Sequence, residues 1–551
     1  MIRRVIAALS CILISLPCVA QQPPSFPAHY LISGVVVRHG TNQPLKRARV
    51  TIMRNDHPDQ QASLVTAEDG RFRFTDVPQG KFTLAVEYRG VQRTFEEDNF
   101  YSTGIVTGPT LDSEHIVFQF PVPTSIVVKV LDGENEPVQN AQVWLFRRRI
   151  ASGWAQVELA SQNSSDSEGL CRLAHLEPGT YYVAASGRPW YAQNRGMNQG
   201  AGLQSTGASE LDLAYPIVYY ANTQNPDAAT PVNLSEGDAA QLQITLRAVQ
   251  ATHISIEGIP GNPNSTRGGQ VMTLVEAVGP GGIRFQTNGS FYVSEAEGER
   301  EIEGLAPGNY LVSLARFGAG RGDTEPLGAL KVNATGDTKI AASEVASTTN
   351  ISGHLVLENG EHTGPLRVWL GQPADGQNAF CPVQSDGSFR CRSGGVATGN
   401  IAPGAYEVRL MNTSEFYVKS VEVKGASYAS GMLEVREGAT VNLSVLAARG
   451  LTKVNGIALK DGRPLSGAMI LLVPSDSGHG TDIPRDQSDS DGTFTLFDVK
   501  PGRYSLIAID HGHDLEYHNP GVLQPYLSQA QTIEIPQSQS DPVRVNVQAR
   551  R

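Results

Sequence analysis

Asp491-Gly492-Thr493-Phe494-Thr495-Leu496, followed by Pro501-Gly502-Arg503-Tyr504-Ser505-Leu506-Ile507-Ala508-Ile509, decides the fold. Asp-Gly marks a hairpin turn, because glycine accepts a positive φ without a Cβ penalty. Strict alternation after it buries one face of a strand. Proline then presets φ, glycine is expected at the corner of a type II turn, and the aromatic opens the next strand pointing inward. The same pair of turns stands at Asp69-Gly70 and Pro78-Gln79-Gly80-Lys81-Phe82, and at Ser167-Glu168-Gly169 and Pro178-Gly179-Thr180-Tyr181. Pro307-Gly308-Asn309-Tyr310 and Pro403-Gly404-Ala405-Tyr406 complete the series. The second-turn glycines lie at 80, 179, 308, 404 and 502, so the period is close to a hundred residues and predicts about five domains.

Working outward, each full copy opens on a short strand, as in Ile32-Ser33-Gly34-Val35, Ile351-Ser352-Gly353-His354 and Val454-Asn455-Gly456-Ile457. A second strand follows Pro44-Leu45-Lys46-Arg47-Ala48-Arg49-Val50, Pro137-Val138-Gln139-Asn140-Ala141-Gln142-Val143 and Pro464-Leu465-Ser466-Gly467-Ala468-Met469-Ile470, where Ala and the residue two further on share a face. The expected fold is all-β, a tandem array of sandwiches over residues 30–121, 122–248, 249–345, 346–447 and 448–551, each stable on its own. An insertion over about 188–212 lengthens the second.

Bulk composition agrees. A chain of 551 residues exceeds what one core supports. The 56 glycines and 33 prolines show no short period, which excludes collagen and favours tight turns. Net charge is −11 and the basic residues are dispersed apart from Arg147-Arg148-Arg149, so there is no phosphate-binding stripe and nucleic acid is not a partner. Arg3 and Arg4, the apolar run Val5–Leu16 and Cys18-Val19-Ala20 form a secretory signal peptide over residues 1–20, cut before Gln21. Pro17 does not suit a lipid-modified Cys18. No later stretch spans a bilayer, and the mature chain is expected to be secreted, periplasmic or associated with the outer envelope.

The order Gly-x-Val, Pro-Leu-x-x-Ala-x-Val, Asp-Gly-x-Phe, Pro-Gly-x-Tyr resembles the carboxypeptidase regulatory-like domain, an immunoglobulin-like or transthyretin-like sandwich related to collagen-adhesin B-type repeats and carbohydrate-binding-like folds. Domains one and five carry the full set, apart from Gln79 read as an insertion. Domain four lacks the Ala-x-Val step, offering only Pro365-Leu366-Arg367-Val368 there, and domain three keeps little beyond Pro307-Gly308-Asn309-Tyr310. The resemblance implies a fold far more than an activity.

Chemistry-bearing motifs are sparse. His-x-x-Glu occurs once, at His513-Asp514-Leu515-Glu516, but five sandwiches leave no room for a zinc peptidase's catalytic domain, and Gly-x-Ser-x-Gly does not occur, so neither a zinc peptidase nor a lipase-type hydrolase is expected, and no cofactor is expected. His511, His513 and Asp514 are the densest possible metal ligands, though a polar loop explains them as well. Asp489-Ser490-Asp491-Gly492 is explained by a hairpin turn alone, since Gln487 stands where a calcium loop needs its first ligand. Arg321-Gly322-Asp323 is a chance tripeptide. Lys453 and Asn546 are placed on the surface, against the alternative of an intramolecular cross-link. Counting outward from a Ser385-Asp386-Gly387 loop puts Cys381 opposite Cys391, a disulfide in an oxidising compartment with two reduced thiols as the alternative, and leaves Cys171 as a buried apolar side chain.

The insertion supplies the candidate ligand surface: Trp190, Tyr191, Gln193 and Asn194, with Tyr219 and Tyr220 later. Rings stack on the apolar face of a sugar while amides bind hydroxyls. The alternative places Tyr219 and Tyr220 in a core strand and leaves the insertion as a loop. Two functions follow, a non-catalytic module binding a glycan or a surface protein, and a spacer or envelope scaffold without a small ligand. Exposed rings clustered near Trp190 favour the first; buried or scattered rings favour the second.

Overall fold

The computed structural model describes residues 29–97, 101–192, 210–258, 270–287, 291–294, 299–317, 324–344, 349–358, 364–372, 378–393, 401–475, 482–536 and 542–550. The signal peptide, Gln193, Asn194 and Arg321-Gly322-Asp323 lie outside them.

One plan recurs five times. In domain one the opening strand Tyr30–Arg38 lies between the hairpin strand Arg71–Val77, antiparallel, and the closing strand Ile116–Phe120, parallel. A second sheet is built on Arg49–Arg54 and Gly80–Tyr88, and the two enclose Ile32, Val50, Phe72, Leu84 and Phe118. A parallel neighbour cannot follow through a tight turn. Here the chain makes the second sheet on its way, which is what closes the sandwich. Domain five repeats the order with Thr452–Lys460 between Thr493–Val499 and Val543–Gln548. So does divergent domain three, with Thr252–Glu257 between Glu299–Leu305 and Thr338–Ala341. The described residues hold one α-helix, Pro520–Leu527, N-capped by Asn519.

The hairpin glycines are forced by two constraints. Gly492 has φ +81, and a Cβ there would come within 3.0 Å of the Ala458 carbonyl and 2.8 Å of Pro464 Cβ. Its own carbonyl accepts the Ala458 N–H at 2.8 Å, and Gly70, Gly169 and Gly387 repeat that bond to Val36, Val130 and Leu355. The Pro-Gly step differs from the type II expectation. Gly502 sits at φ 151 and already begins its strand, so the corner falls earlier, at Asp498 with φ 54, beside a bulge in the ladder. Gln79 is no insertion either. Gly80 has φ 156 and starts its strand as Gly179 does at φ 152, so Gln79 takes the place that Pro178 holds in domain two.

The tyrosine of the motif does more than fill the core. In four domains its hydroxyl donates to the carbonyl four residues earlier: Tyr181 to Glu177 at 2.6 Å, Tyr310 to Ala306 and Tyr406 to Ala402 at 2.7 Å, Tyr504 to Lys500 at 2.8 Å. The bond pins the carbonyl just before the Pro-Gly. Domain one has Phe82 and goes without it. Tyr504→Phe is therefore expected to keep the fold and cost domain five about 1 kcal/mol, read as a lower unfolding temperature of one calorimetric transition.

Two further cores lie outside the sandwich plan, one shared between domains two and three and one within domain five. In Gln142–Ala151 the run Val143-Trp144-Leu145-Phe146 is buried on both faces. Val143 and Leu145 belong to the core of domain two. Trp144 and Phe146 face the other way and pack edge-on against Phe285 of domain three, with ring centroids 5.1 and 5.0 Å away. Tyr219 joins that shared core, as the alternative reading of the insertion has it. In domain five, Met469 and Leu471 face outward under Leu515, Tyr517, Leu523 and Tyr526, so the 511–518 segment and the helix roof the second sheet.

The structure joins Cys381 to Cys391 across the antiparallel pair Asn378–Pro382 and Arg392–Ser393. Cys171 is buried and reduced, its thiol pushed up to about 11 by desolvation. Lys453 Nζ lies 4.9 Å over the Phe497 ring, while Asn546 pairs with Leu459 further along the ladder, so the two are not joined.

Candidate functional site

The insertion of domain two leaves its sheet at Arg188 and returns at Asp212, and those two residues meet. Arg188 Nη2 lies 3.7 Å from the Asp212 carboxylate, which also contacts His253 Nε2 at 2.5 Å, with Asp212 and His253 both almost fully buried. The Ala251 N–H donates to the Asp212 carbonyl at 2.9 Å. Such a clamp fixes the base of the loop. On it stand Trp190, 88% exposed, and Tyr191, 39% exposed, edge to face with centroids 5.6 Å apart. Pro189 beneath them is buried, and its carbonyl accepts from Ala192 in a tight turn. Neither ring belongs to the cores of domains two or three. Tyr215 and Tyr219 are buried and Tyr220 half-buried, so the exposed cluster is the Trp190–Tyr191 pair.

The histidine segment packs against domain two. His511 and His513 are 6.3 Å apart between ring centroids, and Asp514 is engaged by Arg550 at 2.7 Å. Among the described residues no group of three or more His, Cys, Asp or Glu side chains is placed to hold a metal. Nor is the segment a free polar loop. Tyr517 is buried over Gly153, where a Cβ would fall 2.4 Å from the ring. His518 stacks on Trp154 of domain two at 4.5 Å and 14°, and its N–H donates to the Gly153 carbonyl.

Domain five also reaches domain one, through the Asp489-Ser490 turn. Asp489 accepts from Lys81 Nζ at 2.6 Å and from the Gly104 N–H at 3.0 Å. The Ser490 N–H donates to the Gly104 carbonyl and the Val106 N–H to Ser490 Oγ, both at 2.9 Å. Gln487 Nε2 donates to the Glu96 carbonyl at 2.7 Å and to Thr103 Oγ1 at 3.0 Å. Domain four joins through Arg409, which bonds Asp482 at 3.1 Å. The array is thus folded back, with its last sandwich held by domains one, two and four. Nothing in the sequence signals this, because Asp489 reads as turn polarity and His518 as loop polarity.

Burial and the nearby Arg409 guanidinium push His518 down to about 4 from its ordinary 6.5. The docked ring is neutral, so its contribution is complete above pH 6.5 and is lost as pH falls through 6.5 towards 4. On the order of 3 kcal/mol of docking is at stake. Trp154 emission is expected to change over that window in the native protein, and His518→Phe, which keeps the stack, is expected to remove the change.

The carboxypeptidase regulatory-like domain profile matches residues 31–100. No curated protein matches the chain. Among solved structures, a streptococcal ancillary pilin is 12% identical, covering 57% of this chain and 99% of its own, at a TM-score of 0.17. The minor pilin of Streptococcus agalactiae is 12% identical over 43% of this chain and all of its own, at 0.22. Two B repeat units of the collagen binding protein of Staphylococcus aureus are 12% identical over 76% of this chain and all of their own, at 0.12. The matched span takes in the Asp69-Gly70 hairpin, the Gly80 strand and all of the opening strand but Tyr30, so it is the first sandwich of this chain that is similar to the carboxypeptidase regulatory-like domain.

Proposed function

We propose that the protein is an exported, non-catalytic binding protein that presents an aromatic surface to a glycan. The observation that carries this reading is Trp190, 88% exposed beside Tyr191 on a loop whose base is clamped by Arg188, Asp212 and His253. An exposed indole costs solubility and gains a flat apolar face, the element a pyranose ring needs for stacking. Holding it on a rigid base limits the ordering entropy of binding. The spacer reading fits less well, since an array built for reach keeps its ends apart, whereas here Asp489 of the last domain bonds Lys81 of the first.

The test is a pull-down of residues 21–551 on insoluble polysaccharides, with a soluble glycan panel and Trp190→Ala alongside. Retention lost in the variant supports the reading. Retention unchanged by the variant, or none on any glycan, sinks it and returns the spacer or a protein partner.

A further inference from the structure

Where domains one, two, four and five meet they enclose a cleft of about 640 Å³, within the size range of small-molecule sites. Tyr101 of domain one, Trp154 of domain two, Trp369 of domain four and Phe497 of domain five line it. No single sandwich makes the cleft, and it exists only while domain five is docked. We infer that it is a second binding site, distinct from the Trp190 surface, for a short neutral oligosaccharide.

The charges of the wall set the ligand class. Three guanidinium groups and three carboxylates line the cleft, so it has no net formal charge. The central ones neutralise each other: Arg409 bonds Glu407 at 2.8 Å and Asp482 at 3.1 Å, and Asp482 also lies 3.7 Å from Lys500. Arg149 bonds Glu158 at 3.1 Å, and Arg485 lies 4.4 Å over the Tyr101 ring. A charged ligand that displaced Glu407 or Asp482 from Arg409, or Glu158 from Arg149, would leave the displaced partner without its counter-charge. A purely apolar ligand would cover paired charges and the Gln156 and Gln372 amides without replacing their water. An uncharged molecule that alternates hydroxyls with apolar faces does neither. Its hydroxyls bond the outer lone pairs and N–H groups of intact ion pairs, and its apolar faces lie on half-buried indoles.

The indoles are themselves held. Trp369 folds over Gly371, where a Cβ would fall 2.0 Å from the ring, and Arg409 lies 5.8 Å from its centroid. Trp154 is fixed by His518 on one face. Because the walls come from different domains, a ligand spanning them binds the docked array and not the open one. Binding and closure are therefore linked, and each must strengthen the other.

Titration calorimetry of residues 21–551 with the hexasaccharides of the cello, xylo, manno, chito and malto series, and with an acidic galacturonate hexamer, tests the site. At least one neutral hexamer is expected to bind, and Trp369→Ala to weaken it at least tenfold. Phe497→Ala, a change at an exposed ring, is expected to weaken it also and covers the case in which Trp369→Ala does not fold. Asp489→Ala touches no cleft residue and is expected to weaken binding by opening the array. Trp190→Ala is expected to leave this affinity unchanged, which separates the cleft from the exposed Trp190–Tyr191 surface. No binding by any neutral hexamer, binding of the acidic hexamer alone, or binding insensitive to both Phe497→Ala and a folded Trp369→Ala would overturn the inference.

Discussion

Gly456→Val is expected to abolish the cooperative unfolding transition of domain five, and Gly456→Ala to lower it steeply. Gly456 stands in the opening strand, paired with Phe494 on one side and Val543 on the other. A Cβ at this position would lie 2.3 Å from Phe494 Cζ and 2.7 Å from the Val543 carbonyl. Neither can yield freely, since Phe494 is 1% exposed and the carbonyl belongs to a ladder. Overpacking of a tight core costs about 1–3 kcal/mol per added group, and here backbone is struck as well, so the alanine variant is expected at the top of that range. The repeat contains its own control. Gly34 faces Phe72 and Gly353 faces Phe389, but in domain two the matching positions are Val128 and Cys171, a larger residue opposite a smaller one. Gly456→Val with Phe494→Cys is thus expected to recover part of the loss, with a favourable coupling of about 1 kcal/mol or more in a double-mutant cycle. Gly336, with open space around its missing Cβ, is expected to accept alanine with little change. Calorimetry in which Gly456→Ala and Gly336→Ala behave alike would show that the opening strand is not packed as described.

Asp489→Ala is expected to release domain five from domain one and expand the molecule. The carboxylate is 5% exposed and holds Lys81 Nζ and the Gly104 N–H together. Removing one partner of a buried pair costs roughly 3–5 kcal/mol when the other stays buried. Lys81 is 38% exposed and turns to water, so about 2 kcal/mol is the better expectation. Small-angle scattering reads the result as a larger radius of gyration, and limited proteolysis as faster cutting near residue 104. Asp489→Asn keeps an acceptor for Gly104 and is expected to fall between the two. An unchanged radius for Asp489→Ala would mean that the domain two and domain four contacts hold domain five without this one. The pH dependence runs opposite to that of His518. Burial, outweighing Lys81, pushes Asp489 up to about 6, so the docked carboxyl takes a proton more readily than the released one. The desolvation cost of the charged carboxylate therefore appears as pH rises from 3.8 towards 6, with the bonds from Lys81 and the Gly104 N–H offsetting part of it, whereas the His518 contact weakens as pH falls from 6.5 towards 4.

The candidate surface was half legible. Trp190 and Tyr191 are conspicuous as rings amid amides and glycine, and they stand exposed. The Arg188–Asp212 clamp was not legible, because its members are 24 residues apart and look like loop polarity until the fold closes them. The cleft was invisible for the same reason on a larger scale. One sequence signal did exist: Val143-Trp144-Leu145-Phe146 and Met469-Ile470-Leu471-Leu472 are apolar at every position, where a sheet facing water on one side should alternate. Such runs announce that both faces are covered, though not by what.

By itself the sequence determined the sandwich, its repetition and its turns, since these rest on residues within about a dozen positions of one another. Asp-Gly, Pro-Gly and period-two alternation act through local φ and local burial, which neighbouring residues dictate. Tertiary structure alone decided that domains two and three share Phe285 and that Asp489 bonds Gly104 across 385 residues. Those contacts depend on how finished domains fit together, and polar side chains that join two domains carry no pattern distinguishing them from polar side chains that meet only water.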